Sequence, residues 1–437
     1  VRWPGSCASG NGLWHVMRAG GNAVGEVPAA RWTLQAEVDI LGLRTDQVAA
    51  VSYGGFLAAV NLFDNCAFGV SPAEAGAMDP QQRLLLHTGY TSLHASGHRR
   101  TALIGHTLGG IVGISKNDFQ QLSLLGKLTA AASGIYVGTG SDNGMVPRRL
   151  AYTLGLLGPA FAVHTACSSS LVALDVAKHY HGLDEWSVSG VHLVLTPPLW
   201  AADSGGIHSL KGRSYVFDTR ADGFARSEAS VSVALLPRAP DLTVHTSATY
   251  QDGKSVSLTA PNGQAQRLML RAVLGGVSAS EGLLVEAAAN GSPLGDPIEV
   301  GALVSTLPSS MRALFANGKG SIAHSEPCSG HSGLALLGAK LRHAHGSANA
   351  QLRLVNPVVN QSRQSSLHVL SLQHMPSLQH TMLRSVGHDG TVSAFSYSGT
   401  IACAVLRFCC NTQSDHSTPS PFLYKRCVFP WRLPVHP

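Results

Sequence analysis

The stretch V-H-T-A-C-S-S-S-L-V-A-L-D-V-A at residues 163–177 decides the fold, because it joins a short strand to a helix. The apolar run 160–163 before it is typical of a buried strand, and Leu171 and Leu174 after it recur at helical spacing. Cys167 therefore lies at a strand-to-helix turn. Free backbone N–H groups and the helix dipole at such a turn favour a thiolate and can hold an oxyanion. The stretch predicts a reactive thiol, with a buried, inert cysteine as the alternative.

Composition and charge exclude several classes of protein. The 437 residues are 44% hydrophobic and only 13% charged, which is enough apolar material for a large buried core. The formal net charge is +6, but the basic residues are scattered, so we expect no nucleic-acid groove. No apolar run approaches the roughly 18 residues that a membrane span needs. We therefore expect no membrane-spanning segment.

The eight cysteines lie far apart in the sequence. Their spacing fits neither a zinc knuckle nor a disulfide framework, so we expect reduced thiols, an intracellular protein and no metal site. No glycine-rich loop has the spacing and context that cradle a dinucleotide, which argues against a nicotinamide enzyme.

Strand-like and helix-like segments alternate along the chain, which indicates the α/β class. The pattern starts again after the first half, and two successive halves of similar size suggest an internal duplication. We expect an N-terminal half over 1–240 that holds Cys167 and a C-terminal half over 241–408. Residues 409–437 are rich in Pro and Ser, so we expect a linker or docking tail outside the core. The abrupt start at Val1 suggests that an upstream strand is missing.

Seven segments, in order along the chain, resemble the motifs of one family. They are M-D-P-Q-Q-R-L-L-L at 78–86, V-H-T-A-C-S-S-S-L-V-A-L at 163–174, A-D-G-F-A-R-S-E at 221–228, L-T-A-P-N-G-Q-A-Q at 258–266, G-S-P-L-G-D-P-I-E-V-G-A-L at 291–303, K-G-S-I-A-H-S-E at 319–326 and F-S-Y-S-G-T at 395–400. The set resembles the β-ketoacyl synthases, and in particular the ketosynthase domain of type I polyketide synthases of algal or protist type. The resemblance covers about residues 1–408.

The resemblance implies a fold, a reaction and partners. The implied fold is of the thiolase type, with two duplicated α/β halves in five αβαβα layers, and the implied assembly is a homodimer. The reaction belongs to polyketide (fatty-acid-like) biosynthesis. An acyl chain passes from a phosphopantetheine thioester on an acyl carrier protein to the cysteine, and a decarboxylated malonyl-type extender then attacks it. No cofactor is bound, neighbouring polyketide synthase domains are further partners, and the location is cytoplasmic or plastid.

The resemblance also assigns the site residues one by one. Cys167 is the nucleophile, and its backbone N–H and that of Tyr397 hold the tetrahedral oxyanion, with Phe395 in the same motif. His324, in the C-terminal half, is one of two histidines that hold the enolate formed by decarboxylation, and Lys319 supports it. The other histidine is absent, because Ala288 occupies its position.

Further departures from the family pattern lie around the same site. Ser396 and Ser398 replace glycines, and their side chains are expected to crowd the oxyanion turn. The other positions at which the family carries a different residue are His164, Ala289, Asn290, Ala323, Ile401 and Cys403. Losing one donor of the histidine type typically costs ~10²–10³ in rate. The departures therefore bear on condensation more than on acyl loading.

Three interpretations of these departures stay open. In the first, the domain loads an acyl group on Cys167 but condenses it poorly or not at all. In the second, condensation proceeds, and His331 or His164 replaces the missing histidine. In the third, the domain is a decayed copy or a binding scaffold without catalysis. The nearby Asp296 and Glu299 are expected to support a helix rather than to catalyse.

Overall fold

Helices and strands alternate through the chain as its sequence predicts. The computed structural model describes residues 1–35, 42–115, 117–129, 135–197, 207–237, 241–277, 282–343, 345–363, 368–370, 386–409 and 422–432. The helices in these ranges are α1 (Gly10–Arg18), α2 (Thr45–Val51), α3 (Pro72–Ala77), α4 (Pro80–Ala95), α5 (Arg100–Leu103), α6 (Asp118–Leu124), α7 (Val137–Ser141), α8 (Met145–Leu154), α9 (Ser169–His179), α10 (Gly263–Leu274), α11 (Gly295–Thr306), α12 (Lys319–Ile322), α13 (Ser329–His343) and α14 (Pro357–Arg363). None of them has both the length and the apolar composition needed to cross a bilayer.

The strands of the same ranges form two large sheets and two small ones. They are β1 (Gly25–Glu26), β2 (Tyr53–Gly55), β3 (Leu62–Phe63), β4 (Gly109–Gly113), β5 (Ala160–Val163), β6 (Trp186–His192), β7 (Arg226–Ser227), β8 (Ala229–Leu235), β9 (Leu242–Gln251), β10 (Gly282–Glu286), β11 (Ala313–Ala316), β12 (Val369–Leu370), β13 (Val386–Phe395), β14 (Thr400–Phe408) and β15 (Cys427–Val428).

The first large sheet has the strand order β5-β4-β6-β8. Strands β5, β4 and β6 run parallel, and β8 lies antiparallel to β6. Beyond β8, Arg2 forms an isolated antiparallel bridge with Ser230. The glycine-rich β4 is buried along its whole length, as a central strand covered on both faces must be.

The second large sheet repeats this arrangement. Its order is β12-β11-β10-β13-β14-β9, with β11, β10 and β13 parallel and β14 antiparallel to β13. The run β11-β10-β13-β14 therefore has the same order and directions as β5-β4-β6-β8. The predicted duplication is present in the topology, although no repeat is visible in the residues.

The helices α9 and α13 lie between the two sheets. One buried cluster joins both helices to both sheets, and it includes Ile111, Leu171, Leu174, Val188, Leu284, Leu314, Leu334 and Leu337. Helices α4 and α8 pack on the outer face of the first sheet, and α10 and α11 on that of the second. The result is an α/β fold of the thiolase type with layers in the order αβαβα.

The segment 422–432 packs against the N-terminal part of the chain. Strand β15 pairs antiparallel with β3, and the Arg83 guanidinium donates a 2.9 Å hydrogen bond to the carbonyl of Phe429. Trp431 is only 4% exposed and belongs to a core cluster. The sequence did not lead us to expect the burial of Trp431, because local composition does not reveal a long-range packing partner. Two parts of the expected tail lie outside the described residues, namely 410–421 and 433–437.

Candidate active site

The turn that carries Cys167 is held by its neighbouring hydroxyl groups. The residue lies in a single 3₁₀ turn, Ala166–Ser168, between β5 and α9. The Ser169 hydroxyl donates a 2.6 Å hydrogen bond to the carbonyl of Ala166 and accepts one of 2.9 Å from the N–H of Thr165. Ala166 has a φ of 50°, a left-handed conformation that reverses the chain just before the cysteine. The small hydroxyl residues of the sequence motif thus fix the turn that presents the thiol.

Close packing on two sides fixes the start of the helix that follows. A Cβ atom added to Gly113 of β4 would lie 2.5 Å from the backbone nitrogen of Ser170. On the other side, the Ser329 hydroxyl at the start of α13 donates a 2.9 Å hydrogen bond to the carbonyl of Cys167. The nucleophile turn is therefore clamped between a strand of its own half and the matching helix of the other half.

Cys167 faces a cavity of about 290 Å³ that residues of both halves line. The cysteine is only 8% exposed. Apolar side chains on the cavity wall include Ile207, Phe224, Pro261 and Phe395. A shielded thiol beside an apolar cavity suits the binding of a hydrophobic chain.

Ala288 lies on the same cavity wall, in a loop that buried carboxylates hold. The N–H groups of Ala288 and Ala289 each donate a 2.7 Å hydrogen bond to Glu299. Asp296 accepts hydrogen bonds from the N–H groups of Asn290, Gly291 and Ser292. Burial raises the pKa of Asp296 to about 6 and that of Glu299 to about 7. Both carboxylates hold the loop, and a methyl group is all that the Ala288 side chain contributes to the cavity.

Lys319 is buried beside this loop. Its ammonium group donates a 3.1 Å hydrogen bond to the carbonyl of Ala287. Burial lowers the pKa of Lys319, and the nearby charges of Glu286, Glu299 and Cys167 partly offset that effect. Because the interaction is mutual, a protonated Lys319 favours a thiolate at Cys167.

His324 lies behind Phe224 rather than on the cavity wall. Phe224 lines the cavity and packs edge to face on His324, with ring centroids 4.6 Å apart. His324 is 2% exposed, and neither of its ring nitrogens has a hydrogen-bond partner among the described residues. Burial lowers the pKa of His324 to about 3, so the imidazole is neutral near pH 7. The fold brings His324 close to the cavity but places a phenylalanine ring between them.

The residue before His324 has an unusual backbone conformation. Ala323 has φ of 60° and ψ of −171°, a combination that glycine adopts far more easily. Two backbone hydrogen bonds of 2.9 Å hold the next residue, from the His324 N–H to the Ala225 carbonyl and from the Ser227 N–H to the His324 carbonyl. The backbone therefore keeps a glycine-type geometry at a position where the family pattern has glycine.

Phe395 and Tyr397 lie where β13 turns into β14. Both line the cavity, and Tyr397 is 54% exposed at its opening. The hydroxyl groups of Ser396 and Ser398 hydrogen-bond each other at 2.7 Å, and the Ser398 N–H donates a 3.1 Å bond to the Ser396 hydroxyl. The two serines therefore stabilise the turn, whereas the sequence led us to expect crowding.

The two histidines considered as replacements occupy different surroundings. His164 is exposed and lines the cavity with Cys167. His331 is buried in α13, where its N–H donates a 3.1 Å hydrogen bond to the Ser170 hydroxyl. Burial lowers the pKa of His331 to about 4. Of this pair, the structure brings only His164 to the nucleophile's cavity.

Phe224 and Glu326 are among the cavity residues that have no role in the sequence-based assignment. Phe224 separates His324 from the cavity, and Glu326 lines the cavity while pairing with the buried Arg226 guanidinium at 2.5 Å. Both lie inside matched motifs, at 221–228 and 319–326. The motif match could have marked both residues as site candidates. It does not reveal the contacts that Phe224 and Glu326 make with residues of the other motif.

Duplicated sheets with a cysteine at the start of a central helix define the thiolase-type class of α/β fold. Residues 1–241 match the family model "Beta-ketoacyl synthase, N-terminal domain", and residues 242–352 match "Beta-ketoacyl synthase, C-terminal domain". The chain therefore belongs to the β-ketoacyl synthase family, as its motifs predict.

Curated relatives are polyketide synthases. The chain is 32% identical over 434 residues to the non-reducing polyketide synthase olcA of Penicillium canescens and 33% identical over 441 residues to the erythronolide synthase EryA3 of Saccharopolyspora erythraea. The matches cover 93% and 96% of this chain but only 17% and 13% of those proteins. The chain thus corresponds to one part of much longer synthases.

Solved ketosynthase structures share the fold. The oxazolomycin ketosynthase domain OzmH KS7 of Streptomyces albus JA3453 has a TM-score of 0.82 and 26% identity, and the match covers 93% of this chain and 72% of that one. The ketosynthase from module 6 of the bacillaene synthase of Bacillus subtilis 168 has a TM-score of 0.79 at 24% identity, over 94% of this chain and 71% of that one. The second likeness concerns the fold alone.

Proposed function

We propose that this chain is a ketosynthase-like acyltransferase of polyketide biosynthesis. It accepts an acyl chain on Cys167 from a carrier-protein thioester and condenses it poorly. The observation that carries the proposal is that one cavity has a nucleophile but lacks an imidazole at the family's histidine positions. The thiol faces an apolar space, whereas Ala288 offers only a methyl group and His324 lies behind Phe224. These features support thioester formation at Cys167. Neither of the two positions that the family pattern gives to an enolate-binding histidine places an imidazole among the described residues that line the cavity.

Acyl loading requires a thiolate and two fixed N–H donors. The Cys167 thiolate, favoured by Lys319 and by the helix start, attacks the carbonyl carbon of the incoming thioester. The carbonyl oxygen becomes an oxyanion, which the backbone N–H groups of Cys167 and Tyr397 stabilise. The intermediate then collapses, the carbon–sulfur bond to the phosphopantetheine arm breaks, and the departing thiolate takes a proton. The acyl chain occupies the apolar part of the cavity.

Condensation requires donors for a second anion. Loss of carbon dioxide from a malonyl-type thioester leaves an electron pair that delocalises onto the thioester oxygen as an enolate. Imidazole N–H groups can hold such an oxygen, but Ala288 has none to donate. The loss of one donor of this type costs ~10²–10³ in rate. We infer that carbon–carbon bond formation is slow at this site.

One observation favours a competent condensing enzyme as the second candidate. The exposed His164 lines the same cavity as Cys167 and precedes it by three residues in the chain. In this alternative, the His164 imidazole donates to the enolate in place of the missing histidine. A scaffold without catalysis is the conclusion if neither loading nor decarboxylation is measured in the folded protein.

The first prediction concerns loading. With an acyl-pantetheine thioester, the wild-type chain is expected to gain the mass of one acyl group, and Cys167→Ala to gain none, in intact-mass spectrometry. Cys66→Ala is the control, because Cys66 is an exposed free thiol that does not line the cavity. It is expected to load like the wild type. Equal labelling of the wild type and Cys167→Ala would contradict the proposal.

The second prediction concerns decarboxylation. Ala288→His restores an imidazole on the cavity wall, so we expect malonyl-pantetheine decarboxylation to rise by up to about 10²-fold over the wild type. Release of carbon dioxide and formation of acetyl-pantetheine are the readouts. His164→Ala is assayed in parallel. High wild-type decarboxylation that falls to background in His164→Ala overturns the first candidate and supports the second.

The wider setting is also a proposal. We propose that an acyl carrier protein and neighbouring polyketide synthase domains are the partners, and that the chain acts as a homodimer in the cytoplasm or a plastid. We divide it into halves at 1–240 and 241–408, followed by the linker or docking tail 409–437. The algal or protist type of the synthase stays a prediction.

A further inference from the structure

Three potential metal ligands meet at the edge of the first sheet that lies away from Cys167. His98 follows α4, His106 lies just before β4, and Glu185 directly precedes β6. His106 and Glu185 thus lie at the amino-terminal ends of two parallel strands, whereas the cysteine turn follows the carboxyl end of the parallel strand β5. A five-residue strand such as β4 spans about 16 Å, so the two sites are separated by roughly the length of the parallel strands.

The side chains converge on one carboxylate oxygen. His106 Nε2 lies 2.7 Å from Glu185 Oε2, and His98 Nε2 lies 3.4 Å from the same atom. One nitrogen from each ring and the carboxylate oxygen all lie within 4.8 Å of one another. A tetrahedral zinc ion with ligands at about 2.0–2.1 Å places them about 3.3 Å apart. Small side-chain movements therefore suffice to convert the cluster into a metal site.

The second ring nitrogen of His98 lies beside Ser96. The Ser96 hydroxyl, which is also 2.9 Å from the carbonyl of Leu93, lies 3.4 Å from His98 Nδ1. A hydroxyl oxygen can accept a hydrogen bond from Nδ1–H, and Nε2 can then take a cation. Such support of the far ring nitrogen is the usual second contact of a metal-binding histidine. Without a metal ion, His98 Nε2 can instead hydrogen-bond the Glu185 carboxylate.

Neighbouring positive charges point elsewhere. Arg99 lies 2.7 Å from His94 Nε2, and Arg100 reaches the Thr153 carbonyl at 3.5 Å. The three ligand side chains keep partial exposure, with 17% for His98, 38% for His106 and 30% for Glu185. An ion can therefore enter from solvent and keep a water molecule as a further ligand.

We propose that His98, His106 and Glu185 bind one Zn²⁺ ion, with water in the fourth position. Two imidazoles and one carboxylate form a ligand set that suits Zn²⁺ and disfavours Mg²⁺ or Ca²⁺, which take oxygen ligands. The site joins segments that are 79 and 87 residues apart in sequence, so it fastens the entry loops of two central strands. This separation also explains why the sequence spacing predicts no metal site.

Zinc binding to the chelator-treated chain tests the proposal. We expect one Zn²⁺ per chain by competition with a chromophoric chelator, and a higher melting temperature with Zn²⁺ than without. The double variant His98→Gln/His106→Gln is expected to lose both effects. Glu185→Gln preserves the shape of the side chain but removes its charge. It is expected to bind Zn²⁺ at least about tenfold more weakly than the wild type. The control is His181→Ala, an exposed histidine in the loop before Glu185, which is expected to bind like the wild type.

Cobalt substitution separates this site from the free cysteines. Co²⁺ bound by histidine and carboxylate lacks the intense thiolate charge-transfer bands that cysteine ligands produce. Circular dichroism of the metal-free variants checks that they fold. Failure of the wild type to bind Zn²⁺, unchanged binding in the double variant, or a thiolate-type cobalt spectrum would each overturn the proposal. Thiolate bands that vanish in Cys167→Ala would assign the metal to the nucleophile's cavity instead.

Discussion

His324 is a buried, neutral imidazole, and its burial has a measurable effect on stability. Its pKa is lowered by burial to about 3, from an ordinary value of 6.5. Between these values the unfolded chain binds a proton that the folded chain does not. The free energy of unfolding therefore falls as the pH drops below about 6, by about 1.4 kcal/mol per pH unit from this group.

The prediction is a change of slope in His324→Gln. Urea unfolding of both proteins at several pH values between about 6 and 4 should show that the variant loses stability less steeply on acidification than the wild type. His164→Gln is the control, because its side chain is exposed in the folded chain and should leave the slope unchanged. Parallel slopes for His324→Gln and the wild type would mean that His324 is protonated or solvated in the folded state.

The sequence motifs predict which residues belong to the site but not how their side chains contact one another. The motifs identify Cys167, Lys319 and His324 as site candidates, and the fold brings all of them to the region of one cavity. The motifs do not predict that Phe224 stands in front of His324, because these residues are 100 positions apart in the sequence and meet only in the folded chain. Nor do they predict the paired hydroxyls of Ser396 and Ser398, which depend on the turn geometry.

At the scale of the elements, β4 sets the position of the nucleophile helix. A Cβ at Gly113 would meet backbone atoms of Ser170 at 2.5 and 2.6 Å, so the start of α9 would have to move. Gly113→Ala is expected to destabilise the chain by about 1–3 kcal/mol and to slow acyl loading on Cys167. Chemical unfolding and intact-mass loading rates are the measurements.

The same strand offers a matched control. Among the described residues, a Cβ at Gly110 would have only the Pro147 carbonyl oxygen near it, at 4.0 Å. Gly110→Ala should therefore keep both stability and loading close to those of the wild type. If the two variants behave alike, the close approach of strand and helix at Gly113 is not what positions the turn.

For the whole molecule, the exposed apolar surface beside β5 bears on assembly. Strand β5 is the edge of its sheet in the described residues, and Ile104, Tyr152 and Leu157 near it are 70%, 88% and 73% exposed. A second copy of the chain that covers this edge would bury these side chains. Sedimentation equilibrium is expected to give about twice the 45.6 kDa of one chain.

A charge placed on this surface tests the assembly. Leu157→Glu is expected to shift the mass towards that of one chain, because burying a carboxylate in an apolar interface is unfavourable. Leu268→Glu is the control, since Leu268 is 57% exposed on α10 of the other half. A wild-type chain that sediments as a monomer would contradict the proposed homodimer.

A second 3₁₀ turn, Glu326–Cys328, precedes α13 as the turn Ala166–Ser168 precedes α9. Each turn begins with a left-handed residue and leads into a central helix, with φ of 50° at Ala166 and 43° at Glu326. The second position holds Cys167 in one copy and Pro327 in the other. The same type of backbone turn therefore holds the nucleophile in the first half and a proline in the second. At these two turns the halves share a backbone conformation although their side chains differ.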